Sequence, residues 1–257
     1  MARFGAAHEN SPATSAAVHP CQVFVKKRRL TPERMDDPEL PQAEHQLALA
    51  GLARLNRWSR GDAGLWQSLQ AEARQISPLP LRVLDIATGS GDLPIRLAQR
   101  ARSARLPIHF SACDWSPTAL EVASQAANQA QVSIQFFQLD AVLDAIPSEF
   151  DVIMVSLFLH HLSDDQIVQL LAKLGRATRR LILVNDLVRS WWNLGAVYLA
   201  SRLLSRCSVV HFDGPVSVRA AFTKAELIDL AVRAGLTNAA VRSQFPARWQ
   251  LVWRKPQ

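Results

Sequence analysis

The run L-R-V-L-D-I-A-T-G-S-G-D-L, residues 81–93, decides the fold. Arg82 to Ile86 carries Val83, Leu84 and Ile86 with one acid, Asp85, near its end, the composition of a strand buried in a parallel sheet. Gly89 and Gly91 permit positive φ and close approach of a ligand to the backbone. Pro94 then falls in the first turn of a helix, where its missing N–H leaves no partner wanting. Leu93, Ile95, Leu97, Ala98 and Ala101 keep helical spacing as far as Arg102. A strand, a Gly-x-Gly turn and a helix together make the cofactor corner of a doubly wound sheet.

The residues at this corner discriminate between cofactors. A dinucleotide fingerprint wants a third glycine where this chain has Pro94. Asp92 stands where a pyrophosphate would sit, and it already supplies the one anion that a helix N-terminus favours. A ligand with no phosphate and a cationic centre fits better, and S-adenosylmethionine is such a ligand. The segment V-L-D-I-A-T-G-S-G-D-L resembles the first motif of class I S-adenosylmethionine-dependent methyltransferases. Ala87 and the G-D-L at 91–93 are similar to the ubiquinone/menaquinone C-methyltransferase branch, and Ala87 replaces the first glycine of the commoner pattern. The resemblance implies an α/β, doubly wound, mostly parallel seven-stranded sheet (the Rossmann-like methyltransferase fold), with N-terminal helices, a helical substrate cap and a final antiparallel hairpin. It also implies cofactor contacts from Asp85, Ala87, Thr88, Gly89, Ser90, Gly91 and Asp92. It is strong from Leu81 to about Leu162; beyond that it is one of topology.

Further acids fall at strand ends. Pro107 to Cys113 reads as the second strand, and Asp114 at its tip can take both ribose hydroxyls as a bidentate acceptor. Trp115 beside it is expected to line the adenine, and Ser116-Pro117 to open a helix. Val132 to Leu139 reads as the third strand. Asp140, followed by Ala141, resembles the family residue that accepts from the adenine amino group, or it is a turn former. Phe150 to Leu157 reads as a central strand ending in S-L-F-L-H-H-L-S-D-D, which brings Ser156 to the cofactor edge. His160 and His161 titrate near neutrality and are the candidate catalytic bases; orienting the cofactor or satisfying backbone groups are the alternatives. Their segment resembles the L-H-H-L of many small-molecule methyltransferases. Ser163 with Gln166 and Thr223 with Glu226 spell capping boxes, and Gly175 is expected to end the first of these helices.

Residues 1–35 read as a disordered extension, and residues 36–257 as the methyltransferase domain. Helical patterns occupy 41–77: Ala48, Leu52, Leu55 and Trp58 share one face, and Leu65, Trp66, Leu69, Ala73 and Ile76 another. Such helices either cover the cofactor or pack on the sheet edge. Residues 187–222 are expected to form the substrate cap. Within it, Ser190 to Ser201 is an uncharged run, and Trp191, Trp192 and Tyr198 are candidate substrate-binding residues. The run is also consistent with a peripheral membrane helix or with burial on both faces. His211 to Pro215 reads as a polar turn that brings His211 or Asp213 to the pocket.

The net charge of +7 raises a nucleic-acid reading, notably an RNA methyltransferase, but the single tyrosine leaves little aromatic interleaving for base stacking. Solvated arginine-rich helix faces are the favoured explanation. Three widely spaced cysteines fit a reducing, cytoplasmic setting better than disulfides or zinc fingers. The Asn/Asp-Pro-Pro-aromatic loop of amino-group methylators is replaced by Ser156-Leu157-Phe158-Leu159. No acid cluster follows the fourth and fifth strands, only Asn185-Asp186, so no metal is expected. The reading is methyl transfer from S-adenosylmethionine to oxygen or carbon of a small apolar acceptor. A nucleic-acid methyltransferase or a non-catalytic scaffold subunit are the alternatives.

Overall fold

The computed structural model describes residues 27–37, 39–58 and 61–256. The expectations for residues 1–26 and for the Trp58 side chain lie outside the described residues. Strands β1 (Leu81–Ile86), β2 (Ile108–Asp114), β3 (Ile134–Gln138), β4 (Val152–Ser156), β5 (Leu181–Leu187), β6 (Ala240–Gln244) and β7 (Arg248–Arg254) form one sheet in the order β3-β2-β1-β4-β5-β7-β6. The first five pair in parallel, and β7 runs antiparallel to β5 and β6. This is the expected mostly parallel, seven-stranded, doubly wound sheet. Its order reverses between β1 and β4, which opens a crevice beyond their carboxyl ends.

Side chains alternate faces along each strand. Val83, Val152, Met154 and Leu183 face a core shared with Leu65, Leu69, Leu93 and Leu97. Leu84, Ile86, Ile153, Val155 and Val184 face a second core, with Ile167, Leu170, Leu174, Leu227 and Leu230. Two covered faces are why these strands read as unbroken apolar runs.

The helices are α1 (Gln42–Trp58), α2 (Ala63–Ile76), α3 (Asp92–Ser103), α4 (Pro117–Gln129), α5 (Asp164–Ala177), α6 (Trp191–Leu204), α7 (Ser208–Ala220) and α8 (Lys224–Arg233). Ser116 caps α4, and both capping boxes form, on α5 and α8. The two N-terminal helices divide the roles foreseen for them. α2 packs Leu65, Leu69 and Ala73 onto the sheet, whereas α1 crosses the carboxyl edge and sets Ala48 against Val209 and Val210 of α7.

Three expectations change. Gly175 lies inside α5 rather than ending it, packed so that a Cβ there would meet Leu236 Cδ2 at 2.8 Å. His211 to Pro215 is no turn but the middle of α7, with His211 Nε2–H donating to the Ser205 carbonyl at 2.7 Å. Order begins before Asp36. A strap from Lys27 to a 3-10 turn at Arg34–Asp36 is tied down by Arg28, which donates to the Ala220 and Leu162 carbonyls at 2.7 and 2.5 Å. The Asp213 carboxylate accepts from the Arg34 and Met35 N–H groups at 2.8 and 3.1 Å. Low hydrophobicity hid this segment because polar groups anchor it.

Candidate active site

The turn after β1 is built from left-handed residues. Ala87, Gly89 and Gly91 have φ of 55°, 55° and 70°. Ala87 takes at some strain the conformation for which the commoner pattern carries glycine. The turn is cross-braced. Thr88 Oγ1–H donates to Asp85 Oδ2 at 2.7 Å, and Gly89 N–H donates to Asp114 Oδ2 at 2.8 Å. Asp114 Oδ1 accepts from Ser116 N–H at 3.0 Å, so each oxygen of this buried carboxylate keeps one lone pair for a ligand. Burial pushes the Asp114 carboxyl upward against those hydrogen bonds.

Asp85 is buried beneath this turn. Burial, helped by the nearby Asp92 and Asp114 charges and opposed by the Thr88 hydrogen bond, raises it to about 7. Among the described residues its Oδ1 is buried without a hydrogen-bond partner, and Nε of Arg96 on α3 is buried with only the Asp62 carboxylate near it, at 3.7 Å. Arg96 otherwise binds Asp92 Oδ2 through Nη1 at 2.7 Å.

A cleft of about 760 Å³ runs from this corner to the cap. Asp85, Ala87, Thr88, Gly89, Ser90, Asp92, Arg96, Asp114, Trp115, Asp140, Ala141 and Ser156 line its cofactor end, while Gly91 caps α3 just behind. Asp140 also makes the turn weighed as its alternative role, since its Oδ1 accepts from Val142 and Leu143 N–H at 2.8 and 3.1 Å.

The other end is formed by α1, α6, the strap and the loop after β4. Leu49, Leu52 and Leu55 of α1 face Ala196, Val197 and Ala200 of α6 across it. Trp192 reaches its rim. Trp191, Tyr198 and His211 are not among its lining residues, so three of the four expected substrate contacts point elsewhere. Trp191 and Trp192 stack at 4.1 Å between centroids, and both stay exposed together with Tyr198, Leu199 and Leu203. Burial of both faces of α6 is therefore excluded. Arg248, absent from the sequence reading, is buried in the cleft wall, where burial lowers its guanidinium to about 10.

His160 and His161 meet at this end, each held by an acid. His160 is almost wholly buried, its Nδ1 2.7 Å from Asp186 Oδ1 and its Nε2 3.7 Å from Glu33. His161 places Nδ1 2.7 Å from Asp36 and Nε2 4.0 Å from Glu33. Burial works against the imidazolium of His161, but the Asp36 hydrogen bond and the charges of Glu33, Asp36 and Asp186 outweigh it and push the group up to about 9. A free base poised near neutrality is thus corrected: alone, His161 is cationic there. Glu33 escaped the sequence reading because it sits in the strap taken for disorder, and Asp36 because it stands at the first position assigned to the domain. Their only local signal was the change from Ala/Ser-rich to charged residues at Thr31 to Asp36.

Residues 83–180 match the family profile of a methyltransferase domain. The chain is 34% identical over 104 residues to the demethylmenaquinone methyltransferase of Deinococcus radiodurans, covering 40% of this chain and 41% of that protein. It is 29% identical over 111 residues to the demethylmenaquinone methyltransferase of Thermus thermophilus, covering 43% and 49%. The chain thus spans less than half the length of these relatives. Among solved structures, a candidate O-methyltransferase of Nostoc punctiforme superposes with a TM-score of 0.59 at 23% identity, over 92% of this chain and 67% of that one. The magnesium protoporphyrin IX methyltransferase of Synechocystis, with bound SAH, gives 0.52 at 17% identity, over 76% and 84%. These two likenesses are ones of fold. The Gly-x-Gly corner, the strand order and the matched region agree: the chain carries a methyltransferase domain over residues 83–180 and has the fold of the class I S-adenosylmethionine-dependent methyltransferases.

Proposed function

We propose that the protein methylates oxygen or carbon of a small apolar acceptor, phenolic, quinone-like or polyketide-like, with S-adenosylmethionine as donor. One observation carries the cofactor half. Among the described residues a buried carboxylate oxygen of Asp85 has no hydrogen-bond partner, the buried Nε of Arg96 has none closer than the Asp62 carboxylate at 3.7 Å, and both residues line the same cleft. Unpaired buried polar groups of opposite sign are costly unless a ligand completes them. An amino-acid moiety, ammonium to Asp85 and carboxylate to Arg96, does so, and S-adenosylmethionine ends in one. Asp114 would hold the ribose, with Trp115 and Asp140 beside the adenine. The cofactor supplies a methyl group on a positively charged sulfur. The protein's share is to hold the acceptor against it, exclude water and deal with the acceptor's proton. The apolar walls contributed by α1 and α6 suit the first two tasks, and His160, held by Asp186 at the cleft, suits the third.

Several of the basic residues are engaged within the fold, which supports a small acceptor over RNA. Arg96 and Arg100 pair with Asp62, Lys173 donates to the Ala141, Val142 and Asp144 carbonyls, and Arg180 pairs with Glu72. The exposed apolar face of α6, with Arg202 and Arg206 beside it, suits contact with a membrane interface from which an apolar acceptor enters. Calorimetry tests the cofactor half: SAH is expected to bind one per chain and NAD not at all, and the reverse result refutes it. Incubation with labelled S-adenosylmethionine and extract fractions tests the acceptor half, since label entering RNA and no apolar compound would overturn it.

A further inference from the structure

The acceptor end of the cleft holds more charge than a hydrophobic pocket needs. Glu33, Asp36 and Asp186 surround two imidazoles. Such a cluster calls for a cation at its centre.

We infer that Glu33, His160 and His161 bind one divalent transition-metal ion whose open coordination position faces the cleft. Their ligand atoms lie within 4.8 Å of one another, and all three residues line the cleft. Both histidines present Nδ1 to a carboxylate at 2.7 Å, His160 to Asp186 and His161 to Asp36. Each carboxylate accepts from Nδ1–H and thereby turns Nε2 toward Glu33, so that an ion entering there displaces any Nε2 proton and takes up its lone pair. A metal-ligating histidine is normally held this way, its other nitrogen donating to a carboxylate. The Glu33 carboxylate is oriented in turn by Ser217 Oγ–H at 2.5 Å. The Nε2 atoms stand 3.7 and 4.0 Å from the Glu33 oxygens, too far for hydrogen bonds. Donors about 2.1 Å from a tetrahedral ion are roughly 3.4 Å apart, so a small contraction seats one.

Two imidazoles and one carboxylate select zinc or iron(II) over magnesium or calcium, which prefer oxygen. Three protein donors leave a position for a further ligand, the arrangement of a catalytic rather than a structural ion. Given the proposed methyl transfer, on which only this last step rests, that ligand is a hydroxyl oxygen of the acceptor. The ion lowers the hydroxyl pKa: the O–H bond breaks, the electron pair stays on oxygen, and the proton passes to water without any change of oxidation state. The expectation of no metal weighed only the ends of the fourth and fifth strands, whereas the third donor comes from the strap.

The test uses the untagged full chain, stripped with a chelator. Zinc chloride is titrated by calorimetry and cobalt(II) by visible absorption, with SAH binding and the melting temperature followed in parallel. One zinc per chain, a rise in melting temperature and tetrahedral cobalt bands are expected. His161→Gln and Glu33→Gln should each lose at least 100-fold in zinc affinity and abolish the rise. Asp36→Asn, a half-exposed change that spares the fold, should lose about 10–100-fold. Absence of one-to-one binding, or affinities unchanged in Asp36→Asn and His161→Gln, overturns the site. SAH binding separates the two readings: zinc without SAH removes the cofactor proposal and leaves the metal site, and SAH without zinc does the opposite.

Discussion

Replacing Asp85 by asparagine should remove a large part of the protein's pH dependence of stability. The carboxyl stands near 7 when folded, mainly through burial, against about 3.9 in an unfolded chain. A carboxyl raised on folding keeps its proton in the native state where the unfolded chain has lost it, so its contribution is complete below about pH 3.9 and is lost as the pH climbs through 7. At about 1.4 kcal/mol per pH unit the loss is roughly 4 kcal/mol, of which about 2–3 kcal/mol falls between pH 5 and 8. The asparagine would keep an acceptor for the Thr88 hydroxyl, now at 2.7 Å from Asp85, and carry no charge. Urea unfolding of both proteins across that range measures the difference directly. The wild type should lose about 2–3 kcal/mol more than Asp85→Asn toward pH 8, and saturating SAH should shrink that gap by placing an ammonium group against the carboxylate. Parallel profiles, within about 0.5 kcal/mol, would refute the buried, unpartnered carboxylate and with it the argument for the cofactor's amino group.

Asp114→Ala should weaken SAH binding by about 1.5–3 kcal/mol, the range for hydrogen bonds to a charged group, as read by calorimetry. Unaltered affinity would remove Asp114 from the ribose site. Gly91→Ala should destabilise the fold by about 1–3 kcal/mol in urea, since φ is 70° and the new methyl would lie 2.9 Å from Ala123 Cβ. Trp192→Ala should raise the KM for an apolar acceptor about 3–10-fold while SAH affinity holds, whereas Trp191→Ala in detergent should leave KM alone. Equal effects would mean that α6 does not present Trp192 to the cleft.

The chain by itself determined the sheet and the cofactor corner, because these rest on local chemistry. Apolar runs bounded by Gly89, Gly91, Asp114 and Ser116 can be strands, a left-handed turn and helix starts in few other ways. Capping boxes at Ser163 and Thr223 worked for the same reason: donor and acceptor are three residues apart. Gly175 and the His211 to Pro215 segment misled because composition marks a breaker, whereas contacts with Leu236, Val197 and the strap decide whether the helix continues. The acceptor end was beyond sequence reasoning altogether. Glu33 meets His160 across 127 positions, and Asp36 meets His161 across 125. No periodicity encodes such a meeting. It exists because Arg28 and Asp213 pin a polar strap across the carboxyl edge of the sheet, and only that tertiary closure turns two histidines from candidate bases into a carboxylate-bound pair facing a third donor.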